Sequence, residues 1–250
     1  MRFLLLLLPA IVLAQNAQDE DFRFELTASA WQTGISGTVQ SGGLALALHN
    51  DLALGDTWTF FGKVVFKPAR RHRLIVEGSP YYFGGTTSLS RTITYDGRTY
   101  TINAAVKSNA SLAYVFGGYQ FDLISRARAH FGLEAGGAYL NGTGTISTLT
   151  NGISGTRTEI IGLPLAGAEF RVFFGPAHMN LNGEAKGMSF DGYGDYFQGV
   201  VNVGAGFRQL MFQVGYQYLN ADIHENRALN PAGISPVIQG PIFSVQLRLP

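Results

Sequence analysis

The feature that most constrains this chain is an alternation of apolar with polar or small side chains at every second residue. It is clearest in residues 22–30, 57–67, 212–218 and 243–249. A period of two gives a β-strand one apolar and one polar face, whereas an amphipathic helix repeats its apolar positions every three or four residues. After residue 14 no apolar run approaches the roughly 18 residues that a membrane-spanning helix needs. We therefore predict an all-β chain.

The connections between the alternating segments are short and long in turn. Short connections occupy residues 68–72, 124–129, 175–178 and 208–210, and long ones occupy 34–56, 84–99, 141–157, 191–195 and 220–239. This order is typical of a barrel with tight turns at one rim and longer loops at the other. We predict a closed, antiparallel, transmembrane up-and-down β-barrel of ten strands, at 22–33, 57–67, 73–84, 106–121, 130–141, 158–174, 179–190, 196–207, 211–220 and 239–249. Eight strands remain the alternative, because 106–121 and 179–190 alternate weakly.

The N-terminus indicates export. A basic start at Met1-Arg2 is followed by an apolar run to Leu13 and by the small residue Ala14, the pattern of a cleaved signal peptide. We assign residues 1–14 to the signal peptide and 15–250 to one barrel domain. Only 14% of residues are charged, against about 25% in soluble domains.

A soluble β-sandwich would alternate in the same way, so the choice between a sandwich and a membrane barrel depends on the polar face and on the aromatic residues. If the apolar set faces lipid, a network of charged side chains fills the lumen: Arg23, Glu25, Lys63, Arg73, Glu77, Glu134, Glu169, Arg171, Glu184, Lys186 and Arg248. Aromatic residues cluster near the strand ends, as the interface girdles of a membrane barrel require: Trp31, Trp58, Tyr81, Tyr82, Tyr119, Tyr139, Tyr193, Tyr196 and Tyr218. We favour the barrel.

Four stretches carry a resemblance to a known family: residues 24–31 (FELTASAW), 61–74 (FGKVVFKPARRHRL), 214–220 (VGYQYLN) and 240–249 (GPIFSVQLRL). The chain resembles small bacterial outer-membrane β-barrel proteins and is distantly similar to the outer-membrane protein W and A barrels. The resemblance implies a location in the bacterial outer membrane. The chain departs from the family at its end, because such proteins commonly finish on an aromatic residue and this one finishes on Leu249-Pro250.

Two kinds of barrel enzyme are the alternatives to a non-enzymatic role. Asp222 and His224 have the spacing of the acid and histidine in omptin proteases, ten-stranded barrels in which histidine activates a water. A second acidic pair would have to come from Asp191 and Asp195, and the alternation turns Asp222 away from the lumen. A lipid A-modifying hydrolase would need His and Ser two residues apart on a strand, a spacing that no histidine of this chain has.

Two clusters near the short turns have an ordinary interpretation. His72, His130 and His178 could form a metal ring, but no acidic ligand joins them at regular spacing, and we interpret them as polar turn residues. Six arginines crowd the same rim and could contact anionic groups, although a solubilising rim is the simpler interpretation: Arg70, Arg71, Arg73, Arg126, Arg128 and Arg208.

The sequence therefore predicts a non-enzymatic outer-membrane barrel, structural or with a narrow pore or binding role for small or apolar solutes. An omptin-like or lipid A-modifying enzyme and a loop-mediated adhesin are the alternatives. The expected partners are outer-membrane lipid, lipopolysaccharide and the barrel-insertion machinery. A net charge of +1 gives no reason to expect nucleic acid, and no cofactor is expected. The solute cannot be named from the residues.

Overall fold

The computed structural model describes residues 20–41, 44–174, 178–190, 194–207, 209–225 and 232–250, and the side chains of 41, 44, 190, 223–225 and 232 are not described. The signal-peptide prediction lies outside these residues. The strands are β1 (Phe24–Ser41), β2 (Leu44–Ala47), β3 (Thr57–Ala69), β4 (His72–Ser88), β5 (Ile93–Tyr95), β6 (Arg98–Tyr100), β7 (Ala105–Arg126), β8 (Ala129–Thr148), β9 (Ser154–Phe174), β10 (Met179–Phe190), β11 (Gly194–Phe207), β12 (Leu210–Glu225) and β13 (Ala232–Leu249).

Ten long strands close into a ring. Neighbours pair antiparallel in the order β13-β12-β11-β10-β9-β8-β7-β4-β3-β1, and β13 also pairs with β1. The closing seam starts at Phe24 opposite Leu249 and continues to Gln40 opposite Gly233. Closure satisfies the backbone groups that a free sheet edge would expose, which a barrel in lipid requires. The predicted ten-stranded barrel is confirmed, including the two weakly alternating strands.

Near the beginning of β1 and the end of β13, the wall of the barrel carries apolar side chains outside and mainly polar side chains inside. Phe24, Leu26, Phe60, Val64 and Phe243 all project outward and are exposed. Most of their inward neighbours are buried, as with Glu25 between Phe24 and Leu26. The alternation of apolar and polar residues is sufficient to produce this division, because successive side chains leave a strand on opposite faces.

Several strands are longer than predicted, and they extend mainly into the segments interpreted as long loops. The strand β1 continues to Ser41, β8 to Thr148 and β13 begins at Ala232. The extensions are rich in Thr, Ser and Gly, so hydrophobic alternation does not mark them. Main-chain pairing with the neighbouring strand stabilises them instead, as in the run from Asn141 opposite Ile160 to Ser147 opposite Ser154.

Short strands that the alternation did not predict lie at the rim of the long loops. Within the described residues β2 pairs with β1 alone, and β5 pairs with β6 in a separate hairpin between β4 and β7. The opposite rim carries the short turns, together with the beginning of β1 and the end of β13. We call these the long-loop rim and the short-turn rim.

Candidate functional site

The lumen near the short-turn rim is packed with ion pairs. Arg171 on β9 donates two hydrogen bonds to Glu25 on β1, from Nη1 at 2.8 Å and from Nη2 at 3.0 Å. Arg248 on β13 donates to the same carboxylate from Nε at 2.9 Å. All three side chains are buried. Two parallel N–H···O bonds are the strong, directional form of the arginine–carboxylate pair, and this one ties opposite parts of the ring together.

The segment before β1 turns into the barrel and joins this network. The Glu20 carboxylate lies 3.1 Å from Arg73 Nη2 and 3.2 Å from His130 Nδ1. Arg73 in turn lies 2.8 Å from Asp122. The Phe22 ring is buried among cations, with Lys67 Nζ at 5.1 Å from its centre. These contacts close the short-turn end of the lumen with the chain's own N-terminal segment.

A second group of charges lies further along the lumen. Lys63 on β3 contacts Glu184 and lies 3.1 Å from Glu169. Lys186 on β10 lies 2.6 Å from Glu77 on β4 and 3.9 Å from Glu134 on β8. These contacts join strands that are distant in sequence across the hollow of the ring.

Ten of the eleven predicted network residues lie in this lumen: Glu25, Lys63, Arg73, Glu77, Glu134, Glu169, Arg171, Glu184, Lys186 and Arg248. Arg23 does not. It is exposed and donates from Nη1 to the Pro68 carbonyl at 2.8 Å. The reason is that β1 begins at Phe24 rather than at residue 22, so the alternation does not extend to Arg23, and Phe22 enters the lumen in its place.

Four ionisable side chains of the lumen were not predicted: Glu20, Lys67, Asp122 and His130. His130 was interpreted as a turn residue, and that was wrong. It is the second residue of β8, fully buried, and its Nε2 lies 3.5 Å from Glu169. Its place in the alternation with Gly132 and Glu134 was the available signal.

Beside the charged Glu184 and Lys186, the inward side chains of β10, β11 and β12 near the short-turn rim are amides. Asn182 Nδ2 donates to Asn180 Oδ1 at 3.2 Å, and Gln213 Nε2 donates to the same oxygen at 3.2 Å. Asn202 Nδ2 donates to Asn182 Oδ1 at 3.0 Å. These bonds link amides of three strands, although the buried Asn202 Oδ1 accepts no hydrogen bond.

An aromatic layer separates the charges from the outer half of the lumen. Trp31 packs edge-on against Tyr81 with ring centres 5.7 Å apart, and Tyr114 stacks on Tyr196 at 6.5 Å. Tyr114 also donates its hydroxyl to Glu77 at 2.8 Å. Trp31, Tyr81 and Tyr196 were predicted in the interface girdle. That was wrong for these three, because they share the inward parity of Glu25 and Glu77, whereas Trp58, Tyr82, Tyr119 and Tyr139 are exposed as predicted. Tyr193 lies outside the described residues.

Above the aromatic layer the lumen opens into an apolar cavity of 610 Å³. Its lining includes Ile35, Leu112, Leu140, Leu163 and Ile238, and Tyr196 forms part of its floor. Pockets for small molecules usually measure about 300–1,000 Å³ and are lined mainly by apolar side chains. The predicted lumen was charged throughout, so this cavity was missed.

The sequence does contain a signal for the cavity. Along β9 the inward positions run from Arg171 and Glu169 near the short-turn rim to Leu165 and Leu163 nearer the long loops. The same change from charged to apolar occurs on β4, from Arg73 and Glu77 to Phe83. Comparing inward positions at equal depth on several strands would have shown it.

The β5–β6 hairpin and the segment between β2 and β3 cover part of the cavity, and we call them the roof. Tyr95 on β5 donates its hydroxyl to the Gly144 carbonyl at 3.0 Å, and Tyr100 on β6 donates to the Ile146 carbonyl at 2.9 Å. Leu48, Leu52 and Leu54, from the segment between β2 and β3, are buried beside the hairpin and line the cavity.

The residues considered for hydrolysis are arranged differently. Asp222 on β12 lies directly opposite Asp195 on β11 and accepts a hydrogen bond from Ser235. Both aspartates have the outward parity of Phe197 and Phe212, whereas Ala221 and Tyr196 point inward. Asp191 and the side chain of His224 lie outside the described residues.

The remaining rim residues stay at the surface, apart from Arg73. Arg70, Arg71, Arg126 and Arg128 are exposed at the short-turn rim, and Arg70 donates to the Ser125 carbonyl at 2.8 Å. His72 contacts the Tyr119 hydroxyl at 2.5 Å, and His178 lies in a turn; Arg208 lies outside the described residues. Across the described ranges no group of three His, Asp or Glu side chains could hold a metal ion, and no helix could cross a membrane.

Comparison with known proteins places the fold. No protein-family model and no curated protein matches the chain. Among solved structures, the outer membrane protease OmpT from Escherichia coli superposes with a TM-score of 0.65 at 10% identity, over 91% of this chain and 97% of that one. The translocator domain of the autotransporter NalP from Neisseria meningitidis gives 0.52 at 12% identity, over 91% and 88%. At these identities the likeness is one of fold.

The closed ring, the band of exposed apolar and aromatic side chains and the buried charges of the lumen agree with these superpositions. An outward surface of this kind is stable only against hydrocarbon, since water would meet a continuous apolar belt. The protein has the fold of an outer-membrane β-barrel, with ten strands in its closed ring.

Proposed function

We propose that this protein is a non-enzymatic outer-membrane barrel that binds a small apolar solute in the outer half of its lumen. The observation that carries the proposal is the 610 Å³ apolar cavity above a lumen filled by ion pairs. Transfer of apolar surface from water into such a cavity is favourable by about 25 cal/mol per Å². The long-loop rim of an outer-membrane barrel faces the exterior, so the cavity is on the side from which a solute arrives.

Two features support binding rather than free passage of water and ions. The charges beneath the cavity are paired across the lumen, and Glu20 and Phe22 occupy its short-turn end. Ten strands also enclose little more than side chains or one small ligand, far short of the roughly 16–18 strands of an aqueous porin. The outward parity of Asp222, which accepts a hydrogen bond from Ser235 and does not line the cavity, supports a non-enzymatic role. Lipid and lipopolysaccharide surround the wall, and dependence on the insertion machinery remains a prediction.

The test is binding of the fluorescent apolar probe N-phenyl-1-naphthylamine to the purified protein in lipid vesicles. We expect saturable binding that weakens at least tenfold in Leu163→Asn and in Leu140→Asn, because each places an amide in the apolar lining. Val65→Thr is the matched control, since Val65 is equally buried but lies outside the cavity lining. Equal affinity in the wild type and in both cavity variants would contradict the proposal.

A further inference from the structure

Counted from the short-turn rim, the ladder between β9 and β10 ends well before β9 reaches the long-loop rim. The last pair is Ala166 opposite Gly187, although β9 continues up to Ser154 and β10 to Phe190. On its other side β9 stays paired with β8 as far as Ser154. Residues 154–165 of β9 therefore have one edge outside the ladder. At about 3.3 Å per residue this edge is long enough to leave an opening in the wall.

The sequence at this edge opposes continued pairing. Pro164 lies two residues beyond the last pair and has no N–H to donate to a neighbouring strand. Proline within a sheet is accepted at edges and at places where pairing ends. The hairpin of β10 and β11 is also short, since its last pair is Phe190 opposite Gly194. In the described residues this hairpin therefore stops soon after the β9–β10 ladder ends.

Exposure shows that the cavity is open towards this edge. Arg157 and Glu159 have the inward parity of Leu163 and line the cavity. Their side chains are nevertheless 37% and 51% exposed. The neighbouring strand β8 is covered at similar depth, because Leu140 and Ile146 are buried there. The upper inward positions of the unpaired edge are therefore open to the surroundings, whereas Leu163 and Leu165 below them are buried.

At the long-loop end, by contrast, the β5–β6 hairpin covers the cavity and is bonded to β8 and β9. Besides the two tyrosine hydrogen bonds, Asp96 accepts a hydrogen bond from the Thr156 N–H at 3.1 Å. This contact lies at the upper end of the free edge of β9 and leaves the part from Arg157 to Leu165 uncovered by the hairpin bonds.

The opening begins inside the apolar band of the wall. On the outer face of β9, Ile160 is 62% exposed, and Tyr139 on β8, which lies opposite Gly162, is exposed as well. Higher up, the outer face becomes polar: Thr143 bonds Thr158 at 3.0 Å and Thr145 bonds Thr156 at 3.1 Å. The hydrocarbon boundary therefore lies between Ile160 and Thr158, and Leu165 lies below it.

Building on the proposed function, we propose that the solute enters the cavity sideways, from the outer leaflet of the membrane, through the gap between β9 and β10. The solute class is then an apolar or amphiphilic molecule that partitions into membranes. The Arg157–Glu159 pair, at 2.7 Å, lies at the upper part of the gap and meets the polar end of an amphiphile while its apolar part contacts Leu163 and Ile161.

The first arm of the test locks the roof. A Cβ at Gly155 would lie 3.1 Å from the Asp96 Cβ, close to the roughly 3.5–4.5 Å of a disulfide, and the chain has no cysteine of its own. We expect Asp96→Cys/Gly155→Cys, oxidised, to load N-phenyl-1-naphthylamine from vesicles within twofold of the rate of the same protein after reduction. The two single cysteine variants are controls for the substitutions themselves.

The second arm blocks the gap. Met188 is inward, half-buried and one residue above the last β9–β10 pair. We expect Met188→Cys, modified with a bulky aromatic thiosulfonate, to load at least tenfold more slowly. The control is Ile35→Cys, because Ile35 lines the cavity from β1 and its modification removes volume without closing the gap. It should lower the bound amount rather than the loading rate.

The outcomes separate the two proposals. Rapid loading with the roof locked and slow loading with the gap blocked support lateral entry. Loading that stops when the roof is locked, and is unaffected by modification at position 188, overturns lateral entry but leaves the binding site standing. Failure of the unmodified protein to bind the dye at all overturns the proposed function itself.

Discussion

Arg171 on β9 and Glu25 on β1 form a buried two-bond ion pair across the lumen, with N···O distances of 2.8 and 3.0 Å. The two residues are 146 positions apart in the chain. Strands β9 and β1 are not neighbours in the ring. The contact therefore spans the interior and forms only when the barrel closes.

Loss of one partner of this pair should be costly. We expect Arg171→Met to lower the free energy of unfolding by about 3–5 kcal/mol, because it leaves buried carboxylates without their cation. Arg91→Met is the control, since Arg91 pairs with Asp51 at the surface and such pairs contribute about 1 kcal/mol or less. Urea unfolding in vesicles, followed by gel mobility of the folded form, measures both. Equal losses in the two variants would contradict a special contribution of the lumen pair.

Phe22 should keep the short-turn end closed. We expect little or no ion conductance from the wild-type protein in planar bilayers, and small flickering currents from Phe22→Ala, because the ring is packed among Lys67, Arg73 and Arg248. Phe24→Ala is the matched control, since Phe24 faces lipid. Large, stable openings in the wild type would refute a closed lumen.

Gly85 allows the roof to pack on β4. A Cβ at this position would lie 1.8 Å from the Ala53 carbonyl oxygen, so Gly85→Ala must displace the segment that carries Leu52 and Leu54. We expect a severalfold weaker affinity for the apolar dye. Gly117→Ala should leave the affinity unchanged, because its Cβ would meet no atom within 4 Å. Unchanged affinity in Gly85→Ala would show that the segment does not shape the cavity.

The hairpin of the roof should loosen in alkaline solution. Burial raises the pKa of Tyr95 to about 12, and Arg157 opposes the shift only in part. A raised pKa means that its contribution to stability is complete below the unfolded value of about 10 and is lost as the pH rises towards 12. We expect limited proteolysis within residues 89–104 to accelerate over this interval.

The variant Tyr95→Phe isolates this titration. It lacks the ionisable hydroxyl and its bond to Gly144, so proteolysis should be somewhat faster at neutral pH and should rise less with alkalinity. Tyr82→Phe, on the exposed outer face, should behave as the wild type. A profile identical in all three proteins would exclude Tyr95 as the cause.

The fold was largely predictable because its cause is local. Alternation along residues 57–67 and 211–220 sets which side chains face lipid, and the ten predicted strands all exist in the ring. Where the outer face turns from apolar to Thr, Ser and Gly, as in residues 143–147 and 154–158, the pattern disappears and the predicted strands end too early. Pairing with a neighbour, which no single segment reveals, extends them.

The candidate site was predictable only in part. Alternation predicted that Glu25, Lys63 and Lys186 point inward, but it could not predict their partners, because these lie on strands across the barrel. The boundary of β1 moved Arg23 out of the lumen and Phe22 into it. The cavity depends on the relative height of inward residues on several strands, which strand tilt and stagger decide.

The sequence by itself determined that this protein is built from strands with one apolar face and one polar, often charged face, because a period of two sorts side chains as soon as a strand forms. Only the tertiary structure decided that the charges fill the inner half, that an apolar cavity remains above them, and that the β9–β10 ladder ends before Pro164. Those properties arise from where the closed ring brings distant residues to the same depth and from where one ladder ends before its neighbours.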